Sequence, residues 1–201
     1  LPMLLRAGNL LGAEQHGQMA AIGYDLYCKL LKETVGELRG EEPVRPPETV
    51  VDIRADAYID SGYISREDHK IRMYKRIAAI EDLADKNDVE DEMVDRFGDI
   101  PAPTENLIRI AYIRALAGSL GFSEISQRGK EVRMKLYDGK ALAPRALMIL
   151  LNENRKVLKL IASHPPVFSL QTRDSAETTV LDTVQGILEK IKDLQQSQMQ
   201  V

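Results

Sequence analysis

Residues 104–139 read TENLIRIAYIRALAGSLGFSEISQRGKEVRMKLYDG. In the first half Leu107, Ile110, Ala111, Leu116, Ala117 and Leu120 recur at about 3.6 residues, the period of an amphipathic α-helix. Thr104 stands where a capping hydroxyl belongs, and Gly121 stands where the helix should end. Later the period drops to two. From Glu131 to Tyr137, Val132, Met134 and Leu136 alternate with Arg133 and Lys135, the pattern of a half-buried strand, and Asp138-Gly139 is a turn signal. A helix followed by strands within one short stretch points to an α+β fold.

Working outward, the same rules divide the rest of the chain. Gly17 to about Arg39 carries Ile22, Leu26, Tyr27, Leu30, Leu31 and Leu38 at helical spacing, one long amphipathic helix closing near Gly40. Residues 40–48 hold Pro43, Pro46 and Pro47 among Glu41, Glu42 and Glu48, and tandem prolines cannot donate to a helix or a central strand. This is a linker, so residues 1–39 and 49–201 are expected to be separate units. Thr49 to Ala55 alternates as a short strand with Val51, Ile53 and Ala55 on one face.

Ser65, with Asp68 three residues on, predicts the start of a helix whose buried stripe is Ile71, Tyr74, Ile77, Ala78 and Ile80. A second helix is expected from Asn87 or Asp88 to Phe97, closed by Gly98 and followed by a rigid turn at Pro101 and Pro103. Beyond Gly139 the spacing predicts a helix over Ala143–Asn152 and strands at Val157–Ile161 and Val167–Leu170 around Pro165-Pro166. A closing helix through Val180, Val184, Ile187, Leu188, Ile191 and Leu194 is expected to fray into a Gln-rich tail.

Composition excludes several classes. With 44% apolar and 29% charged residues the chain has the make-up of a globular protein. One cysteine, Cys28, cannot form an internal disulfide, and the opening residues do not read as a secretory leader, so a cytoplasmic location is expected. No apolar run approaches the length of a membrane span. Net charge is −4, which disfavours a freestanding nucleic-acid binder. The charge is uneven, however. Between Glu81 and Asp99 stand nine acidic residues against Lys86 and Arg96 only. Such a run is a solvated helix face or a docking patch for a basic partner.

Little in the chain suggests catalysis. His16, His69 and His164 lack companions at metal-ligand spacing, and Cys28 lies in an apolar stripe, so neither a metal site nor an activated thiol is expected. No phosphate loop, dinucleotide fingerprint or nucleophile elbow is present. The chain reads as a non-enzyme that binds no cofactor of its own. Basic residues Arg66, Lys70, Arg72, Lys75 and Arg76 on one helix do not form a single stripe, which weakens a DNA-binding reading.

Two segments add a resemblance. Ala7-Gly8-Asn9-Leu10-Leu11-Gly12-Ala13-Glu14-Gln15-His16-Gly17, with Gly23-Tyr24-Asp25-Leu26-Tyr27, resembles the end of the motor region of bacterial transcription-repair coupling factors, and more loosely that of RecG-type DNA translocases. There the segment is a helical hairpin and loop that couples ATP hydrolysis to movement on duplex DNA. The resemblance makes Gln15 the coupling glutamine, with Gly8 and Gly12 allowing the tight turns. Where the family carries arginine and glycine before the Ala-Gly pair, this chain has Leu5-Arg6. The second segment, Tyr74-Lys75-Arg76-Ile77-Ala78, then Glu92-Met93-Val94-Asp95-Arg96-Phe97-Gly98 and Ile100-Pro101 with Pro103, resembles the family's C-terminal domain.

The resemblance implies a function by contact. In such factors the C-terminal domain packs on a UvrB-like module of the same protein and masks its UvrA-binding surface. The motor, which uses ATP and magnesium, displaces stalled RNA polymerase by translocating on duplex DNA. By that resemblance Glu92 and Asp95 are acidic docking positions, and Arg96 beside them is a further docking candidate. An alternative is that the chain contributes directly to ATP-dependent translocation through the Gln15 segment.

Overall fold

The computed structural model describes residues 49–199. The expected first helix, the linker, Cys28 and the candidate coupling residues Gly8, Gly12 and Gln15 lie outside the described residues. Strand β1 (Val50–Asp52) leads through a loop to α1 (Glu67–Ala78), α2 (Leu83–Phe97) and α3 (Ala102–Ser119). A hairpin follows, β2 (Phe122–Arg128) and β3 (Glu131–Leu136), then α4 (Pro144–Glu153), β4 (Leu158–Ile161), β5 (Val167–Gln171) and α5 (Glu177–Met199). The fold is α+β.

The strands form one sheet in the order β1-β2-β3-β5-β4, with β1 parallel to β2 and every other pair antiparallel. Alternation decides its two faces. Val132, Met134 and Leu136 point inward as expected and meet Ile125, Phe168 and Leu170 across the strands, all of them buried. Helices α3 and α4 cover that inner face, and α5 closes over both. The outward residues of β2 and β3, Glu124, Ser126, Arg128, Glu131, Arg133 and Lys135, are polar, as befits an antiparallel sheet with one wet side.

Strand β2 has no counterpart in the sequence reading, and the reason is local. The ladder slips between Phe122 and Glu124, and this irregularity spaces the inward residues Phe122, Ile125 and Gln127 unevenly. The third of these is a glutamine. Gln127 is buried because its Oε1 accepts from Arg54 N at 3.0 Å and its Nε2 donates to the Gly129 carbonyl at 2.9 Å.

Helix α3 is the hub. It touches β1 and β2 on one side, α1 and α2 on another and α5 on a third, so residues on several of its faces are buried. Thr104 does not cap it. The helix starts at Ala102 behind Pro101, and the fully buried Thr104 hydroxyl donates to the Tyr58 carbonyl at 3.0 Å. Asn106 likewise donates to the Asp56 carbonyl at 3.1 Å, so the first turn of α3 fastens the loop after β1. On the far side Arg109 reaches Asp182 of α5 at 2.5 Å, and Arg114 donates to the Ala78 carbonyl at the end of α1 at 2.9 Å.

Candidate docking surface

Helices α1 and α2 carry the residues that resembled a docking surface. Helix α1 begins later than expected, at Glu67, because Ser65 makes no cap and Asp68 is held instead by Arg66, at 3.0 Å through both guanidinium contacts. That contact first, and the positive charge of Arg66 after it, hold the Asp68 carboxyl below its usual range. The buried stripe of α1 is Met73 and Ile77, continued by Ile80, while Ile71 is 42% exposed. Tyr74 faces the fold as expected, its hydroxyl accepting from Ile59 N at 3.0 Å.

Helix α2 begins earlier than expected. Asp82 caps it by accepting from Asp85 N at 2.9 Å, and Asp85 answers by accepting from Glu81 N at 3.0 Å, a reciprocal box built from two aspartates. Its first turn buries nothing, which is why the apolar pattern missed it. The helix ends as expected at Gly98, whose φ of 85° lies in the region that favours glycine and whose N–H donates to the Val94 carbonyl at 3.0 Å.

Phe97 belongs to the fold. It lies 6.0 Å from the rings of both Tyr63 and His69, and Tyr63 ties the helix end down by donating to the Met93 and Gly98 carbonyls at 3.3 and 3.0 Å. Burial first, and the negative charge of Asp99 second, push the Tyr63 phenol above its usual range.

Three acidic roles emerge along α2. Asp82 and Asp85 are occupied with capping. Glu90 is paired with Lys86 at 2.7 Å, and Glu92 is clasped by Arg96 one turn on and by Arg76 of α1 at 3.2 Å. Asp88, Asp91 and Asp95 are exposed and form no ion pair among the described residues. They recur at three and four residues and so share one solvent-facing stripe, with Val94 beside it at 48% exposure.

The candidates therefore sit differently. Asp95 presents a free carboxylate, while Glu92 is partly sheltered between two guanidinium groups. Arg96 pairs with Glu92 rather than with its neighbour Asp95, and its guanidinium carbon lies 4.9 Å from the centre of the Phe97 ring. The sequence reading had passed over Asp88 and Asp91 as stripe members, although their spacing from Asp95 was legible. The cations before and along α1 are mostly engaged within the domain: Arg66 with Asp68, Lys70 with Ser61 and Glu67, and Arg76 with Glu92.

Residues 53–147, which include α1, α2 and α3, match the TRCF domain family. That segment is a TRCF domain. The transcription-repair-coupling factor of Bacillus subtilis is 35% identical over 192 residues, covering 94% of this chain and 16% of the relative. That of Staphylococcus epidermidis is 40% identical over 132 residues, covering 65% of this chain and 11% of the relative. The chain thus spans less than a fifth of the length of the curated relatives it matches. A crystal structure described as the C-terminal domain of a transcription-repair coupling factor has the same fold, with a TM-score of 0.66 at 17% identity over 77% of this chain and 99% of that one. Among the described residues of this TRCF-domain chain, no helix is long and apolar enough to cross a membrane.

Proposed function

We propose that this TRCF domain is an autoinhibitory docking domain. It closes on a UvrB-like module of the same coupling factor, masks the surface that UvrA would take, and restrains the ATP-driven DNA translocase. The observation that carries this reading is the stripe of unpaired carboxylates Asp88, Asp91 and Asp95 on a helix anchored at both ends. A rigid acidic face suits a basic protein surface, and exposed charge pairs each contribute about 1 kcal/mol or less, so the contact is reversible. Asp95 and its neighbours meet the partner directly. Glu92 acts from behind, where it holds Arg96 and Arg76 away from the stripe.

The test is titration of the UvrB-like module with this chain at two salt concentrations. Asp91→Ala with Asp95→Ala should weaken binding about tenfold or more at low salt, and less at high salt where screening already removes the contribution. Equal affinity of the double variant and the parent chain at low salt would sink the docking face. Added in trans, the parent chain should also block UvrA from the module.

A further inference from the structure

The charge of this chain is divided in space as well as along the sequence. Between Arg128 and Arg173 stand ten basic residues and three acidic ones, a local excess of +7 that mirrors the acidic run of α2. Five of those cations converge at one end of the sheet. Arg128 closes β2 and pairs in register with Glu131, and Lys130 lies in the turn between them. Gln171 at the end of β5 stands opposite Glu131, and Arg173 follows two residues on. Leu158 of β4 is opposite Leu170, which places Arg155 and Lys156 at the same end. Backbone bonds fix these ends together: Thr172 N donates to the Lys130 carbonyl at 2.8 Å and Gln171 N to the Val157 carbonyl at 2.7 Å.

All five cations are exposed, and none forms an ion pair among the described residues. Neighbouring carboxylates are already employed. Glu131 accepts from Ser169 Oγ at 2.7 Å and pairs with Arg133, Glu153 pairs with Lys190, and Asp174 accepts from Ala176 N at 2.9 Å. The row crosses three inter-strand steps of about 4.8 Å, hence about 14 Å, the axial length of roughly four phosphates on one strand of a duplex.

We propose that this end of the sheet is a contact for the phosphate backbone of duplex DNA. Two features favour that partner. A protein partner wants an apolar centre, yet the exposed apolar residues of the sheet, Val50, Leu160 and Ile161, lie at its opposite end. A single strand wants aromatic platforms, and the outward positions of β2, β3 and β5 carry none. The contact is weak and independent of base sequence, consistent with the net negative charge of the whole chain, and it uses strand ends rather than α2, which packs on α1 and α3.

The experiment is anisotropy of a short fluorescein-labelled duplex titrated with the 201-residue chain. Affinity should fall about 100-fold between about 50 and 200 mM salt, a logarithmic slope near −3.6 for four phosphates. Arg155→Ala with Lys156→Ala and Arg173→Ala leaves Arg128 and Lys130 and should bring the slope to about −1.8, with low-salt binding weakened at least tenfold. Arg72→Ala with Lys75→Ala on α1 should change neither, which separates this surface from general charge. Circular dichroism checks that each variant is folded. Duplex binding that the triple variant leaves intact overturns the proposal. So does an absence of duplex binding, and if the triple variant then abolishes concentration-dependent self-association, the row is a seat for the acidic helix of a second copy. Because Asp91 and Asp95 are untouched, failure here leaves the docking reading standing, and failure there leaves this one.

Discussion

Helices α2 and α3 are sequence neighbours of similar length, 15 and 18 residues, and they solve different problems. Helix α3 buries nine residues, including Thr104 and Asn106, because elements pack against it from several directions. Helix α2 buries only Val89 and Met93 and half-buries Phe97 against Tyr63 and His69, and most of its other residues serve caps, ion pairs or solvent. A helix surrounded by the fold is selected for shape, and polar groups there must be satisfied internally. A helix at the rim is free to carry charge that the fold does not need. The acidic stripe is therefore legible as surplus, and surplus charge on an anchored element is what a partner surface can use.

The contrast makes predictions that differ in size. Ile108→Ala, in the fully buried middle of α3, should lower unfolding stability by about 2–5 kcal/mol in urea titration. Next comes Thr104→Val, which keeps the volume but strands the Tyr58 carbonyl, for a loss of about 1–3 kcal/mol by the same measurement. On the rim helix, Asp82→Ala should remove a cap worth about 1 kcal/mol.

Surface carboxylates then divide by whether something holds them. The Ser169 hydroxyl first, and the Arg133 guanidinium second, hold the Glu131 carboxyl below its usual range. A group lowered in this way stabilises the fold above the unfolded value, about 4.3, and loses that contribution as pH falls through the folded value. Stability of Glu131→Gln should therefore trail the parent near neutrality and converge with it in acid. Smallest of all, Asp91→Ala with Asp95→Ala should leave stability within about 0.5 kcal/mol. A loss above about 1 kcal/mol would show that the stripe serves the fold after all and erase the distinction drawn between the two helices.

Much of this molecule could be read from periodicity. The helix through Leu107, Ala111 and Leu116, the strand through Val132, Met134 and Leu136, the closing helix of Val180 to Ile191 and the turn at Gly98 stand where their residues placed them. Those features depend on neighbours in sequence, and local spacing alone decides which side chains share a face. The acidic run and the lack of recognised catalytic motifs were legible for the same reason.

Tertiary structure decided the rest, and always where the partner is distant. Strand β2 exists because a bulge and a parallel neighbour accommodate Phe122, Ile125 and Gln127, and Gln127 is satisfied by a residue 73 positions away. Thr104 holds a loop 46 residues back instead of capping its own helix. Glu92 and Asp95, three residues apart, differ because Arg76 of another helix reaches only the first. Five cations scattered from Arg128 to Arg173 become one row only when antiparallel pairing brings four strand ends together. Sequence sets which face a residue shares, but the register of elements far apart in the chain decides what that face meets.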